Sequence, residues 1–168
     1  MSPHAHASTG RSVKVAVLTV SDTRTISTDE SGRLAGTLAR EAGHLPVDHR
    51  CVRDEPDDVR DVLDAWLADE GIEAILITGG TGISARDRTF ETVVGLLERR
   101  LDGYGEIFRQ LSFAEIGPAA ILSRAVAGIA RGRPVFTMPG APAAVRLAMT
   151  ALILPELAHI VGEATRQS

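Results

Sequence analysis

The chain has 168 residues, 44% apolar and 24% charged, with a formal net charge of −4. That length and composition fit one globular domain with a sizeable core, and the interspersed charge argues against a general nucleic-acid binder, which needs a basic face. The single cysteine, Cys51, has no partner for an intramolecular disulfide, so the expected compartment is a reducing cytoplasm.

Residues 1–12 hold Ser, Ala and His without an apolar h-region, and are expected to be a disordered tail, not a secretory signal. His4 and His6 there have chelating spacing, but on a free arm they are expected to bind nothing. No apolar stretch is expected to span a membrane. Val13 to Val20 reads as a strand covered on both faces. A polar turn, Ser21 to Glu30, follows, with Asp29 or Ser31 capping the next helix. Leu34, Ala35, Leu38, Ala39 and Ala42 mark that helix's apolar face and Gly43 ends it.

Leu45 to Val52 is a second strand, with Val47 and Cys51 expected inward. Pro56 suits a helix start, and Val59, Val62, Leu63, Trp66 and Leu67 follow at helical spacing. Ala74 to Ile77 is the third strand. Beyond it, Phe90, Val93, Val94, Leu97 and Leu101 predict a helix with Arg99 and Arg100 on its solvated face, and 102–105 a turn. Residues 108–126 predict short helices. Pro134 to Met138 predicts a strand, Pro139-Gly140 a turn, and Ala143 to Val161 a long helix. Alternating strands and helices imply right-handed crossovers, hence one three-layer α/β domain over 13–162 with a mostly parallel sheet and a C-terminal tail over 163–168.

The most informative stretch is Thr78-Gly79-Gly80-Thr81-Gly82 with Arg86-Asp87, closing a buried strand ahead of a helix. Glycines let backbone amides wrap an anion, at the sheet edge where open α/β folds bind ligands. The loops carrying Ser21-Asp22 and Pro139-Gly140 are expected at the same edge. Asp54 and Asp87 are expected at its rim, where two carboxylates beside phosphates suit Mg²⁺. By spacing alone, Asp54 reads more readily as a cap before Pro56, and Asp87 equally well as a first-turn or capping acid beside a helix dipole. G-x-x-x-x-G-K-[ST] and G-x-G-x-x-G are absent. Cys51 reads as a structural thiol, and His44, His49 and His159 as solvated or satisfied.

From Val13 to Leu157 the chain resembles the MoaB/MogA family of molybdenum cofactor biosynthesis proteins. The likeness rests on Leu18-Thr19-Val20-Ser21-Asp22, Asp29 with Ser31-Gly32, the Gly-rich run with Arg86-Asp87, Gly103-Tyr104-Gly105-Glu106, Phe108-Arg109, Ile121 to Ala125 and Met138-Pro139-Gly140. The resemblance implies a trimer or dimer of trimers that binds molybdopterin, a pterin with a dithiolene and a terminal phosphate. In active members that phosphate attacks the α-phosphorus of ATP and pyrophosphate leaves; metal insertion follows on other assembly proteins.

Carried onto this chain, Asp87 and Asp54 become the catalytic, Mg²⁺-organising pair. Thr78, Gly79, Gly80, Thr81 and Gly82 would hold phosphates. Ser21, Asp22, Glu106, Pro139 and Gly140 would line the pterin and nucleotide pocket. A non-catalytic paralogue that carries molybdopterin or a nucleotide is the alternative the same likeness implies. The chain departs from the pattern after Gly82, where Ile83-Ser84-Ala85-Arg86 replaces a frequent proline and leaves a cation beside Asp87.

Overall fold

A computed structural model describes residues 10–166; the histidines of the predicted N-terminal tail lie outside them. The strands are β1 (Lys14–Val20), β2 (Leu45–Val52), β3 (Ala74–Thr78), β4 (Arg99–Arg100), β5 (Ala127–Ala130) and β6 (Arg133–Met138). They form one sheet in the order β2-β1-β3-β6-β5-β4. The first four are parallel, and β5 and β4 extend the sheet antiparallel. The helices are α1 (Glu30–Glu41), α2 (Pro56–Ala68), α3 (Thr89–Val94), α4 (Asp102–Ile116), α5 (Pro142–Ala148) and α6 (Leu154–Thr165), with a 3₁₀ segment over Gly117–Leu122.

The two-residue period of the strands sorts the core into two halves. Val15 and Val17 of β1, Leu76 of β3 and Phe136 and Met138 of β6 pack with α1, α4, α5 and α6. Ala16 and Leu18, Ile75 and Ile77, and Val135 point the other way, onto the α2 stripe that ends in Trp66 and Leu67. Being buried on both faces, β1 and β3 are almost wholly apolar, as the sequence indicates. The predicted three-layer, mostly parallel α/β domain is the observed architecture.

Several local expectations give way to the structure. The helix predicted through Leu101 stops at Val94; Gly95 closes it, and Leu97 and Leu101 keep helical spacing without helical backbone. Arg99 and Arg100 form the edge strand β4, where Arg99 pairs with Ile129 and Arg100 with Gly128. Residues 102–105 open α4. Val47 is exposed because the β1–β2 register passes from Pro46 directly to Asp48, which turns Val47 out as the extra residue of a bulge. Cys51 is only partly buried, its Sγ–H donating to the Arg24 carbonyl at 3.2 Å. The hairpin joining β5 and β6 turns through Arg131 and Gly132, both at positive φ.

The C-terminal helical run spans Pro142–Thr165, three residues beyond the predicted domain end, with a wider π turn at Met149–Ile153. Leu154 N–H bonds back five residues to Met149, and Pro155 following it has no N–H to continue an α ladder. Contrary to the sequence expectation, this run is long and apolar enough to cross a membrane by length and composition. Its Val145, Ala148, Met149, Ile153, Leu157 and Val161 face is packed into the core, which accounts for the apolarity.

The remaining histidines are satisfied. His44 is buried, accepts a hydrogen bond from Val13 N–H at 3.2 Å through Nδ1, and is pushed toward its neutral form by burial. His49 pairs with Asp29 and His159 with Glu156.

Candidate functional site

Because β1, β3 and β6 run parallel side by side, the loops after them converge at one sheet edge. Gly79 sits in the tightest place there. Its φ is +93°, its N–H donates to the Met138 carbonyl at 2.9 Å, and an added Cβ would collide with the carbonyl of Val20. Gly80, at φ +68°, leaves no room beside Thr89 and Asp54. The chain thus peels off β3 with the N–H groups of Gly80, Thr81 and Gly82 finding no acceptor among the described residues. Successive unbonded amides of this kind form an anion-binding concavity.

Beneath the loop lies a buried polar chain. Thr78 Oγ1 donates to Thr19 Oγ1 at 3.3 Å, Thr19 donates to Asp29 Oδ2 at 2.5 Å, and His49 Nε2 meets the same oxygen at 2.7 Å. Asp29 Oδ1 takes the Gly32 N–H at 2.9 Å, so Asp29 is the cap of α1. Thr78 is therefore floor, its hydroxyl committed away from any ligand. Gly79 is a packing position, because its amide is already bonded.

Neither aspartate is the cap its spacing allows. Glu55 holds the N-cap position of α2 and makes no side-chain cap bond. Asp54 instead reaches across to the third loop: its Oδ1 accepts from Arg88 N–H at 3.2 Å and from Thr89 Oγ1 at 3.4 Å. Asp54 is 6% exposed. Its carboxyl is pushed above the usual aspartate value, chiefly by burial, with the neighbouring Asp87 and Asp22 charges adding to the shift and the Arg88 and Thr89 bonds opposing it. Asp87 precedes α3 by two residues and folds back, Oδ2 accepting from Ser84 N–H at 2.9 Å. Asp54 Oδ2 and Asp87 Oδ1 receive no protein hydrogen bond among the described residues.

Two arginines fix the rim. Arg86 donates to Asp22 Oδ1 at 3.0 Å from Nη2, to Oδ2 at 3.2 Å from Nε, and to Glu55 Oε1 at 2.7 Å from Nη1. It ties the loops after β1, β2 and β3 together and holds the Asp22 and Glu55 carboxyls below their usual range. Asp22 also accepts from Asp54 N–H at 3.2 Å, so it braces Asp54 from the β1 loop. Arg124 does the same for the Gly-rich loop. It donates from the backbone to the Thr81 carbonyl at 2.8 Å, from Nε to Gly82 O at 2.8 Å and from Nη2 to Asp87 O at 2.8 Å. Its Nη1 pairs with Glu91, and its guanidinium lies 4.9 Å from the Phe90 ring centroid. The sequence gives Arg124 no role of its own, because the carbonyls it holds are 42 and 37 residues away.

Two cavities open at this edge. One, of about 390 Å³, is bordered by Gly80, Thr81, Gly82, Asp87, Pro139 and Gly140, with a mostly apolar wall from Phe108 to Leu147. Ser31 and Arg24 brace it, donating to the Gly140 carbonyl at 2.6 and 3.0 Å. The other, of about 680 Å³, lies between Pro56, Ile83, Asp87, Arg88 and Arg124. Asp87 belongs to both.

The structure therefore brings together Gly80, Thr81, Gly82, Asp87, Pro139 and Gly140, with Asp54 and Asp22 directly behind the loop. Ser21 is a turn residue, its Oγ accepting the Thr23 and Arg24 amides at 3.3 and 3.1 Å. Glu106 lies apart, on α4 in a separate cleft with Arg100 and Arg109, because the predicted 102–105 turn is helix and carries it away. Among the described residues no three His, Cys, Asp or Glu side chains cluster as a metal site. The donor set nevertheless suits Mg²⁺, which takes one or two carboxylates plus phosphate and water: Asp54 and Asp87 each keep one unbonded oxygen, and their mutual repulsion is what a cation relieves.

The fold and site define an α/β domain whose mostly parallel sheet ends in unbonded glycine-loop amides beside paired carboxylates, and residues 16–159 match a family described as a probable molybdopterin binding domain. A molybdenum cofactor biosynthesis protein B from Bacillus subtilis is 49% identical over 152 residues, 90% of this chain and 89% of that one. A crystal structure of molybdenum cofactor biosynthesis protein B superposes with TM-score 0.91 at 45% identity, covering 94% of this chain and 99% of the other. The tungsten cofactor synthesizing protein MoaB from Pyrococcus furiosus gives TM-score 0.83 at 34% identity, over 93% and 99%. The chain belongs to the MoaB/MogA family of molybdenum cofactor biosynthesis proteins.

Proposed function

We propose that this protein is a molybdopterin adenylyltransferase: it transfers AMP from ATP to the terminal phosphate of molybdopterin and releases pyrophosphate, a cytoplasmic step ahead of metal insertion by other assembly proteins. The observation that carries the reading is the set of unbonded amides at Gly80, Thr81 and Gly82, facing the same cavity as Asp87. Such donors stabilise charge gathering on a phosphoryl group at no reorganisation cost. The apolar wall beside them suits a planar ring.

Asp54 Oδ2 and Asp87 Oδ1 would hold Mg²⁺, which neutralises phosphate charge when bound. The chain's own part is positioning. Arg124 and Arg86 hold the rim loops still, the Gly80–Gly82 amides orient the α-phosphate, and the cavity around Pro139 and Gly140 excludes water from the attacking phosphate. A molybdopterin phosphate oxygen bonds to the α-phosphorus, and the electron pair of the broken P–O bond leaves with pyrophosphate. We take the assembly to be a homotrimer or a dimer of trimers. Its support here is the set of exposed apolar side chains Phe113 and Ile116 on α4 with Ile121 and Leu122 on the 3₁₀ segment that follows, apolar surface of the kind that subunit contacts cover.

The test is turnover with molybdopterin, ATP and Mg²⁺ for the wild type, Asp54→Asn and Asp87→Asn. Loss of at least about a hundredfold in both variants is expected for groups that organise the reacting phosphates. Full turnover in Asp87→Asn would end the assignment. Bound molybdopterin without adenylylation in the wild type would make the protein a carrier.

A further inference from the structure

We propose that the larger, 680 Å³ cavity is a magnesium pyrophosphate site in which the Arg88 guanidinium binds the β- and γ-phosphates of the nucleotide and holds the pyrophosphate as it leaves. This inference rests on the adenylyltransferase reading above. Its first support is connectivity: Asp87 borders both cavities. A nucleotide whose α-phosphate sits on the glycine-loop amides at that residue has one cavity on either side of the bond that breaks. The apolar cavity admits the attacking molybdopterin phosphate on one side, which leaves the other for the outgoing phosphates.

The second support is a census of arginines at the rim. Arg86 is spent on Asp22 and Glu55. Arg124 is spent on two carbonyls, Glu91 and the Phe90 face. Arg88 borders the cavity, yet its guanidinium makes no hydrogen bond or ion pair among the described residues. Two acids within its electrostatic reach, Glu55 and Glu91, are already paired with Arg86 and Arg124. Its backbone is anchored: the N–H donates to Asp54 at 3.2 Å, and the carbonyl takes Thr92 N–H and Oγ1 at 3.2 and 3.1 Å. A fixed backbone thus presents one uncommitted fork of donors beside Asp87. That fork matches the paired oxygens of a phosphate, and Asp87 is placed for the metal that accompanies it.

In the step, the bond between the α-phosphorus and the bridging oxygen breaks and its electron pair goes to pyrophosphate, while a molybdopterin phosphate oxygen bonds to the α-phosphorus. Arg88 meets the charge that arrives on the leaving group.

The experiment is calorimetric titration of the full chain with magnesium pyrophosphate and, separately, with AMP, in the wild type, Arg88→Gln and Arg88→Lys, with turnover measured alongside. Arg88→Gln is expected to weaken pyrophosphate binding and to raise KM for ATP, each about tenfold or more as a lost charge-assisted hydrogen bond does. AMP, which lacks the two outer phosphates, should bind as before, and Arg88→Lys should recover part of the pyrophosphate affinity. Unchanged pyrophosphate binding in Arg88→Gln overturns the inference. So does joint loss of AMP and pyrophosphate binding in both variants, which makes Arg88 a structural residue. If the wild type forms product while Arg88→Gln binds pyrophosphate normally, this inference alone falls; if the wild type forms no product, the adenylyltransferase reading falls as well.

Discussion

Asp54 is a buried carboxylate whose ionised form the fold opposes, through burial and through the Asp87 and Asp22 charges. With the folded value above the unfolded one, ionisation costs stability: the favourable contribution exists below the unfolded value and is lost as pH rises through the folded one. At neutral pH the protein carries that penalty. Asp54→Asn should therefore melt higher, while losing turnover; a lower melting temperature would show Asp54 to be structural. The same repulsion predicts a titration. The Asp54 carboxyl, followed by NMR, should titrate above the ordinary aspartate value, move down in Asp87→Asn, and lose Mg²⁺ affinity as it protonates. Asp22 and Glu55, held low by Arg86, stay ionised to lower pH, so the Arg86 clamp should outlast metal binding in acid. No change in Asp54 titration on removing Asp87 would contradict the coupling.

Elements differ in how much of them the sequence discloses. Ala74 to Ile77 is legible because β3 is buried on both faces and an apolar run has no other use. The α2 stripe is legible through its period. Ala127 to Ala130 is not, since Ala-Gly-Ile-Ala carries little strand propensity and becomes β5 only by pairing with β6 and β4. Leu97 and Leu101 mislead in the other direction: they continue a spacing after Gly95 has ended the backbone pattern. The link from Arg124 to the glycine loop is a product of the tertiary fold, with no local signal. Arg124→Gln should remove the donors to Gly82 and Asp87, costing about 2–3 kcal/mol and about 5–10 °C in Tm, and should raise KM for ATP by loosening the loop. Wild-type stability and KM in that variant would remove Arg124 from the account.

At the scale of the molecule, the two middle strands of the parallel set explain why the site is where it is: β1 and β3 bring Asp22 and the glycine loop to one edge, β6 adds Pro139-Gly140, and β2 delivers Asp54. That convergence is readable from strand order alone, whereas Glu106 is misplaced because the start of α4 is a helix whose Gly103 and Gly105 read as a turn. Ile116 and Leu122 border the apolar cavity and also belong to the exposed apolar set, so subunit contact and substrate binding are expected to adjoin. Light scattering should give three or six times the 17.8 kDa chain mass, and Phe113→Glu, with Phe113 58% exposed, should reduce it; a monomeric wild type would refute the assembly. Mass spectrometry of the products formed by the wild-type protein from molybdopterin, ATP and Mg²⁺ should find adenylylated molybdopterin and an equal amount of pyrophosphate; molybdopterin recovered unmodified beside intact ATP would rule out adenylyl transfer by this protein.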